Sequence, residues 1–190
     1  AVRDHGTVPE DGPVLVTGSA GGVGSIAIML LAKLGYSVTA STGRPETAAY
    51  LKALGASDII ARDDLARKSK PLEKEIWAAV VDSVGSTTLG TALAQTKYNG
   101  VIAACGLAAG LDMPTTVLPF ILRNVRLQGC DSVMAPMNLR ERAWDDLASL
   151  LDTSLLSEVY RIEPMSNIKS LASAILRGEI KGRVVIDVNA

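Results

Sequence analysis

The sequence predicts a doubly wound α/β domain (a Rossmann-type sheet) with six parallel strands, and three observations support this fold class. A glycine-rich segment at residues 17–24 lies between a short apolar run and a stretch with helical periodicity. Further apolar runs then alternate with helical patterns, which is typical of a parallel sheet covered by helices on both faces. The chain has 190 residues, 48% of them hydrophobic, which is enough for one full core, so we expect a single domain.

The elements of the first half follow from periodicity and from residues that start or stop helices. Val14, Leu15 and Val16 form the first predicted strand, and apolar residues three and four positions apart predict a helix at 23–34. Pro45 and Gly55 mark the two ends of the next helix. We then expect a second strand at 37–40, a helix at 45–54, a third strand at 58–61, a segment at 64–77 that is helical in its second half, and a buried fourth strand at 78–82.

The second half repeats this alternation and ends in a C-terminal extension. We expect a helix at 88–96, a fifth strand at 100–105, a short helix at 117–123, a sixth strand at 125–130, helices at 139–151 and 168–176, and a closing strand at 182–188. The core of the domain should cover about residues 12–165, with 166–190 as a helix and strand extension.

Composition argues against several classes of partner. A net charge of −1 and an aromatic content of 4% provide neither a basic face for phosphates nor a platform for stacking bases, so nucleic acid is not an expected partner. No apolar run reaches the ~18 residues of a membrane span, so we expect no membrane contact and a cytoplasmic location. Cys105 and Cys130 lie in apolar runs and His5 is the single histidine, which predicts buried cysteines and no metal site or disulfide framework.

The glycine-rich segment carries the strongest functional prediction. A strand that turns through glycines into a helix presents free backbone N–H groups and the positive end of the helix dipole, which favours a pyrophosphate. Gly18 would allow the turn, and Gly21 and Gly22 would let phosphates approach. Gly24 would let the helix pack closely on the sheet. The segment therefore predicts a dinucleotide site, the alternative being a plain turn.

Residues at the end of the second strand indicate which dinucleotide is expected. Many NAD enzymes place a carboxylate there, which accepts from the ribose 2′-hydroxyl, but this segment reads Ser41, Thr42, Gly43, Arg44. Two hydroxyls can donate to a 2′-phosphate and the arginine can pair with it. The pattern predicts NADPH, the alternative being a solvated arginine at a helix start.

A ligand of a doubly wound sheet lies at the carboxyl ends of the strands, near the switch point between the first and the fourth. The loops after the fourth, fifth and sixth strands are therefore the expected neighbours of the nicotinamide, unless they are ordinary connections. These residues are Ser83, Val84, Gly85, Cys105, Gly106, Leu107, Asp131 and Ser132.

Two oxidoreductase families share features with the glycine-rich segment. Residues 17–24 fit the T-G-x-x-x-G-x-G pattern of short-chain dehydrogenases, but no tyrosine of this chain has the lysine four residues on that their chemistry needs. The sequence instead resembles the cofactor domain of the medium-chain dehydrogenase/reductase superfamily, quinone-oxidoreductase branch, through Ala-Gly-Gly-Val-Gly at 20–24 and Leu-Gly-Ala at 54–56. Within that branch it is most similar to the NADPH-dependent acrylyl-CoA reductases, most specifically over 119–134.

This resemblance implies a zinc-free enzyme that transfers hydride from NADPH to the β-carbon of an activated double bond, after which the enolate is protonated at the α-carbon. The implied substrate is an acyl-CoA thioester, acrylyl-CoA going to propanoyl-CoA, with a quinone as the alternative. The pyrophosphate would be held by Gly21, Gly22, Val23 and Gly24 and the 2′-phosphate by Thr42, Gly43 and Arg44, with Arg62, Leu107 and Arg183 as further candidates.

The chain departs from this family in its length. Family members carry an N-terminal β-rich catalytic domain, whereas this chain begins about a dozen residues before its first strand. We therefore expect a cofactor domain separated from its catalytic domain, or a protein that lost it, and we assign no catalytic residue. A nucleotide-sensing module with no chemistry of its own is the hypothesis from a different class.

The sixth strand is expected at an edge of the sheet, where unpaired N–H and C=O groups invite another chain. Members of the resembled superfamily commonly pair such edges across a two-fold axis, which implies a homodimer through this strand. The alternative is an edge protected by Arg126 and covered by the helix at 139–151.

Overall fold

The structure, a computed structural model, describes all 190 residues and is built around a six-stranded parallel sheet. Its strands are β1 (Val14–Val16), β2 (Val38–Thr42), β3 (Asp58–Ala61), β4 (Trp77–Asp82), β5 (Thr96–Ala104) and β6 (Arg126–Gly129). They lie in the order β3-β2-β1-β4-β5-β6, and every neighbouring pair is parallel. The predicted doubly wound sheet is thus confirmed, with its switch point between β1 and β4.

Eight α-helices connect or flank the strands. They are α1 (Val2–His5), α2 (Gly22–Lys33), α3 (Ala48–Ala53), α4 (Ser86–Gln95), α5 (Leu118–Arg123), α6 (Met137–Leu150), α7 (Leu156–Val159) and α8 (Ile168–Leu176). Single 3₁₀ turns lie at Pro9–Asp11, Pro45–Thr47, Arg62–Asp64, Thr153–Leu155 and Met165–Asn167. No helix combines the length and the apolar character that crossing a membrane requires.

The core covers both faces of the central strand β1. Val14 and Val16 are fully buried on one face, in a cluster that includes Ile28 of α2. Leu15 is fully buried on the other face, in a cluster that includes Leu93 of α4. Because helices cover both faces, β1 is apolar throughout rather than alternating, and its carboxyl end is held rigidly.

A second, small sheet pairs the last strand of the C-terminal extension with a strand that lies just before the extension. Strands β7 (Tyr160–Pro164) and β8 (Arg183–Asp187) pair in parallel, with α8 between them in the chain. The extension contacts the rest of the domain beside the glycine-rich loop, where Gly182 N donates to Ala20 O at 2.8 Å, and beside β2, where Arg44 Nη2 donates to Ile180 O at 3.1 Å. The closing strand was predicted, whereas β7 was not, since its exposed residues give no apolar run.

The segment 64–77 contains no α-helix, so the predicted helix in its second half is wrong. The backbone of this segment pairs with α4 instead, because Glu73 N donates to Ala94 O and Ile76 N to Gln95 O, both at 2.8 Å. These bonds satisfy carbonyl groups that the end of α4 leaves unpaired. Pro71 also lacks the N–H that a continued helix needs.

The two cysteines are exposed, contrary to the prediction that they are buried. β5 ends at Ala104 and β6 at Gly129, so Cys105 and Cys130 each lie one residue beyond a strand, at the carboxyl edge of the sheet. The apolar runs that suggested burial belong to the strands and stop before the cysteines.

β6 lies at the edge of the sheet, as predicted. The helix that was expected as its alternative cover, α6, packs against α2. It also forms two ion pairs with the N-terminal segment, Arg142 with Asp4 at 2.8 Å and Arg3 with Asp146 at 3.2 Å. A homodimer through the β6 edge stays a prediction.

Candidate functional site

A cleft of about 500 Å³ opens beside the carboxyl ends of β1, β2 and β4. It lies where the strand order reverses, which is the expected position of a ligand in a doubly wound sheet. Eight of the predicted site residues line it, namely Gly21, Ser41, Thr42, Gly43, Arg44, Arg62, Ser83 and Val84.

The loop after β1 requires glycine at two positions. Gly18 has a φ of +58°, in the left-handed region that other residues rarely adopt. A Cβ on Gly24 would lie 2.5 Å from the carbonyl oxygen of Gly18, so only glycine lets α2 approach the loop this closely. As a result α2 begins immediately behind Gly21, which forms part of the cleft wall.

The first turn of α2 offers unpaired donors. The backbone N–H groups of Gly22, Val23 and Gly24 donate to no acceptor within the chain. Such groups attract an anion, and the positive end of the helix dipole adds to that attraction. These three predicted residues do not line the cleft themselves, but they come directly after Gly21, which does.

Arg183 places a cation beside the same helix start. A Cβ on Gly22 would lie 2.5 Å from Arg183 Nη2, so the guanidinium packs directly against this backbone. Arg183 takes part in none of the ion pairs of the chain. A cation at the positive end of a helix is unfavourable by itself, so this arrangement favours an anion bound between the two.

The end of the cleft near β2 is basic and contains no acidic residue. Three arginines line the cleft, Arg44, Arg62 and Arg177, and neither Asp nor Glu does so. Ser41 and Thr42 are buried, and Thr42 Oγ1 accepts from Arg44 N at 3.1 Å, which fixes the turn after β2. The absence of a carboxylate at this strand end agrees with a site for a 2′-phosphate.

Arg44 and Arg62 differ in how far they are engaged by the chain. Arg44 is partly buried and donates from Nη2 to Ile180 O at 3.1 Å. Arg62 lies over Gly43, where a Cβ would come within 2.7 Å of its Cζ. Its side chain is 60% exposed and its nearest carboxylate, Asp63, is 3.7 Å away. Arg62 therefore has the freer guanidinium, although the sequence pointed first to Arg44.

A buried carboxylate connects the loops on the opposite side of the cleft. Asp82, the last residue of β4, is fully buried and accepts from Thr17 Oγ1 at 2.7 Å and from Gly85 N at 2.8 Å. Ser83 Oγ donates in turn to Thr17 O at 3.2 Å. These bonds tie the glycine-rich loop to the loop after β4, and so hold Ser83 and Val84 in the cleft wall.

Several predicted residues do not reach the cleft wall. In addition to the residues at the start of α2 and Arg183, these are Gly85, Cys105, Gly106, Leu107, Asp131 and Ser132. Gly106 packs on the Ser83 carbonyl, while the carbonyl of Ser132 accepts from Arg140 Nη1 at 2.7 Å, beyond β6.

The cleft also contains residues that were not predicted. Thr17, Ser19 and Ala20 belong to the glycine-rich motif itself, and Thr88, Ala108 and Ala109 lie close in the chain to predicted residues. No pattern in the sequence predicts that segment 175–180 lines the cleft, because the position of this segment depends on the contact between Gly182 and Ala20.

No three side chains of the types His, Cys, Asp and Glu come together in the chain in a way that could hold a metal ion. We therefore assign no metal ligand among these 190 residues, and the expectation of a zinc-free enzyme stays a prediction.

Comparison with known proteins places these features in a family. The family model described as zinc-binding dehydrogenase matches residues 22–149. The chain is 53% identical to the acrylyl-CoA reductase AcuI of Ruegeria pomeroyi over 100% of its own length and 58% of that protein. The chain thus spans 58% of the length of curated relatives that it matches.

Two solved structures have the same fold and different dinucleotides. YhdH of Escherichia coli K-12 with bound NADPH matches with a TM-score of 0.96 and 49% identity, over 99% of this chain and 58% of that one. YhfP of Bacillus subtilis with bound NAD matches with a TM-score of 0.91 and 43% identity, over 98% of this chain and 57% of that one.

Proposed function

The chain belongs to the zinc-binding dehydrogenase family, within the medium-chain dehydrogenase/reductase superfamily, and we propose that it is the NADPH-binding domain of a reductase. The observation that carries this proposal is the cleft at the switch point, which has free helical N–H groups at one end and, at the other, arginines in a wall that contains no Asp or Glu. In this proposal residues 1–190 form one domain, with a core at about 12–165 and an extension at 166–190.

The diphosphate would bind at the start of α2. The unpaired N–H groups of Gly22, Val23 and Gly24 provide directional donors, and Arg183 provides a permanent charge on the same side. This assignment explains why a cation packs against the positive end of a helix. It also gives a role to the bond between Gly182 and Ala20, which holds Arg183 in place.

The 2′-phosphate would bind between Arg62, Gly43 and the turn after β2. We place Arg62 first, because its guanidinium is exposed and free to turn, and Arg44 second, because it already donates to Ile180 O. One similar structure holds NADPH and another holds NAD, so the fold alone does not select the cofactor. Selection of NADPH over NADH would rest on these arginines and on the absence of a carboxylate at the end of β2.

The reaction proposed for the complete enzyme is reduction of an activated carbon–carbon double bond, most specifically that of acrylyl-CoA. The bound nicotinamide would supply hydride to the β-carbon of the thioester. The chain's own residues bind the cofactor and exclude water from one side of the cleft, and we assign none of them to catalysis. The identity to the acrylyl-CoA reductase AcuI supports this substrate, and similarity to a putative quinone oxidoreductase of B. subtilis supports a quinone as the second candidate.

Titration with both cofactors tests the binding proposal. We expect the chain to bind NADPH more tightly than NADH, and Arg62→Ala to weaken NADPH binding about 10-fold to 100-fold with little effect on NADH, the size of a charge-assisted phosphate contact. Arg44→Ala should have a smaller effect. Arg126→Ala, an exposed arginine on β6 with no ion pair, is the matched control. Equal losses for NADPH and NADH in Arg62→Ala would contradict the assignment.

Substrate choice needs the complete reading frame. If the proposal is correct, the protein encoded by the complete reading frame, supplied with NADPH, should reduce acrylyl-CoA faster than a simple quinone. Binding of NADPH without reduction of either acceptor would favour the nucleotide-sensing module. The cytoplasmic location, the absence of zinc and the homodimer stay predictions.

A further inference from the structure

The two cysteines lie side by side at the carboxyl edge of the sheet. In the register of β5 with β6, Ala104 pairs with Gly129, so the next pair along the two strands is Cys105 with Cys130. The bond that closes the pair of Ala104 with Gly129, from Cys130 N to Ala104 O at 2.9 Å, holds Cys130 beside the end of β5, directly before Cys105. Adjacent strands are about 4.8 Å apart, which lies within the range of about 4.4 to 6.8 Å that joins the Cα atoms of a disulfide.

The side chains of such a pair leave the sheet on the same face. Residues in register on neighbouring strands project to one side, whereas Ala104 and Gly129 project to the other. At present Cys105 Sγ donates to Asp82 O at 3.3 Å, and Cys130 Sγ lies 3.9 Å from Gln128 O. A thiol is a weak hydrogen-bond donor, so neither contact holds its sulfur atom firmly in the present rotamer.

The two thiols differ in their surroundings. Partial burial, together with the nearby charges of Cys130 and Asp82, raises the pKa of the Cys105 thiol above its ordinary value. The raised pKa lowers the fraction of Cys105 that is present as thiolate, which is the nucleophilic form. Cys130 follows the edge strand β6 and is exposed to solvent, so an oxidant can reach it.

We propose that Cys105 and Cys130 are a redox modification site, which forms a reversible intramolecular disulfide when a peroxide oxidises the protein. The Cys130 thiolate attacks the peroxide, whose O–O bond breaks, giving a sulfenic acid and an alcohol or water. The Cys105 thiolate then attacks that sulfur, the S–S bond forms, the S–O bond breaks, and the hydroxide leaves as water with the thiol proton. Two electrons pass from the thiols to the peroxide, and a dithiol reverses the reaction.

The bond would fix the loop that follows β5. Ala108 and Ala109, three and four residues after Cys105, line the cleft, and Ala109 N donates to Val84 O at 2.8 Å. The disulfide would thus join the edge of the sheet to a segment of the cleft wall. Its formation does not depend on which dinucleotide the cleft binds.

The test is peptide mapping under non-reducing conditions after treatment of the protein with hydrogen peroxide. We expect one linked peptide that contains both cysteines, a mass loss of about 2 Da for two hydrogen atoms, and recovery of both thiols with dithiothreitol. In Cys105→Ser, a sulfenic acid should accumulate on Cys130 and be trapped by dimedone. In Cys130→Ser, Cys105 should stay largely reduced.

Three results would overturn the proposal. They are two thiols that remain fully alkylatable after oxidation, oxidation of each cysteine independently to sulfinic acid, and a disulfide that joins two copies of the chain. The first experiment uses the unmodified sequence, so it does not depend on whether the serine variants fold.

Discussion

Replacement of Asp82 should destabilise the domain more than replacement of any exposed acidic residue. The carboxylate is fully buried, and its two oxygens accept from Thr17 Oγ1 at 2.7 Å and Gly85 N at 2.8 Å. A hydrogen bond to a charged group contributes about 1.5 to 3 kcal/mol, so loss of both should cost Asp82→Ala about 3 to 6 kcal/mol. Asp82→Asn keeps one acceptor and should cost about 1 to 3 kcal/mol.

Urea denaturation followed by circular dichroism measures these losses in the free energy of unfolding. Asp112→Ala is the matched control, because Asp112 is exposed and forms no ion pair. If Asp82→Ala lost less than about 1 kcal/mol, the range of an ordinary surface substitution, the two hydrogen bonds would not hold these loops together. The affinity of the variants for NADPH is a second readout, since Ser83 and Val84 should shift with the loop.

The remaining predictions concern pH, assembly and activity. Hydrogen bonds from Arg67 and Gln95 lower the pKa of Glu73 from 4.5 to about 2. Glu73 should therefore contribute about 2 to 3 kcal/mol to the free energy of unfolding above pH ~4.5, and this contribution should be lost as the pH falls toward 2. In urea melts at a series of pH values, Glu73→Gln should remove most of this pH dependence. The backbone N–H of Leu127 points to the open edge of the sheet, because successive N–H groups along β6 point to opposite sides. Leu127→Pro removes this N–H and should shift a dimer toward monomer in sedimentation velocity. An unmodified chain that is monomeric at high micromolar concentration would contradict the interface. The 190-residue chain alone should bind NADPH without reducing acrylyl-CoA, because it supplies one wall of the cleft, and turnover above the uncatalysed rate would refute this.

Local sequence signals predicted the sheet because most of its strands contain a short apolar run near a glycine or a helix start. β3 at Asp58–Ala61 and α8 at Ile168–Leu176 lie where they were expected. The segment before β4 failed because tertiary bonds from Glu73 and Ile76 to the end of α4 override its helical pattern. Periodicity within one segment carries no information about such distant partners.

The candidate site was predictable to the extent that it follows the strands. The residues after β1, β2 and β4 line the cleft as the topology requires. The relative weight of Arg44 and Arg62 was not predictable, because it depends on the carbonyl of Ile180, which is 136 positions away in the chain. The same holds for segment 175–180 as a wall of the cleft.

The attachment of the C-terminal extension to the glycine-rich loop couples ligand binding in the cleft to docking of the extension. The extension meets the main sheet at Ala20 and Gly182, and the segment just before that contact closes one side of the cleft. A ligand that orders the loop therefore also favours the docked extension, and by reciprocity the docked extension raises the affinity for that ligand. Digestion of the C-terminus by carboxypeptidase should slow as the cleft fills, so the end of the chain reports the occupancy of a site formed mainly by its beginning.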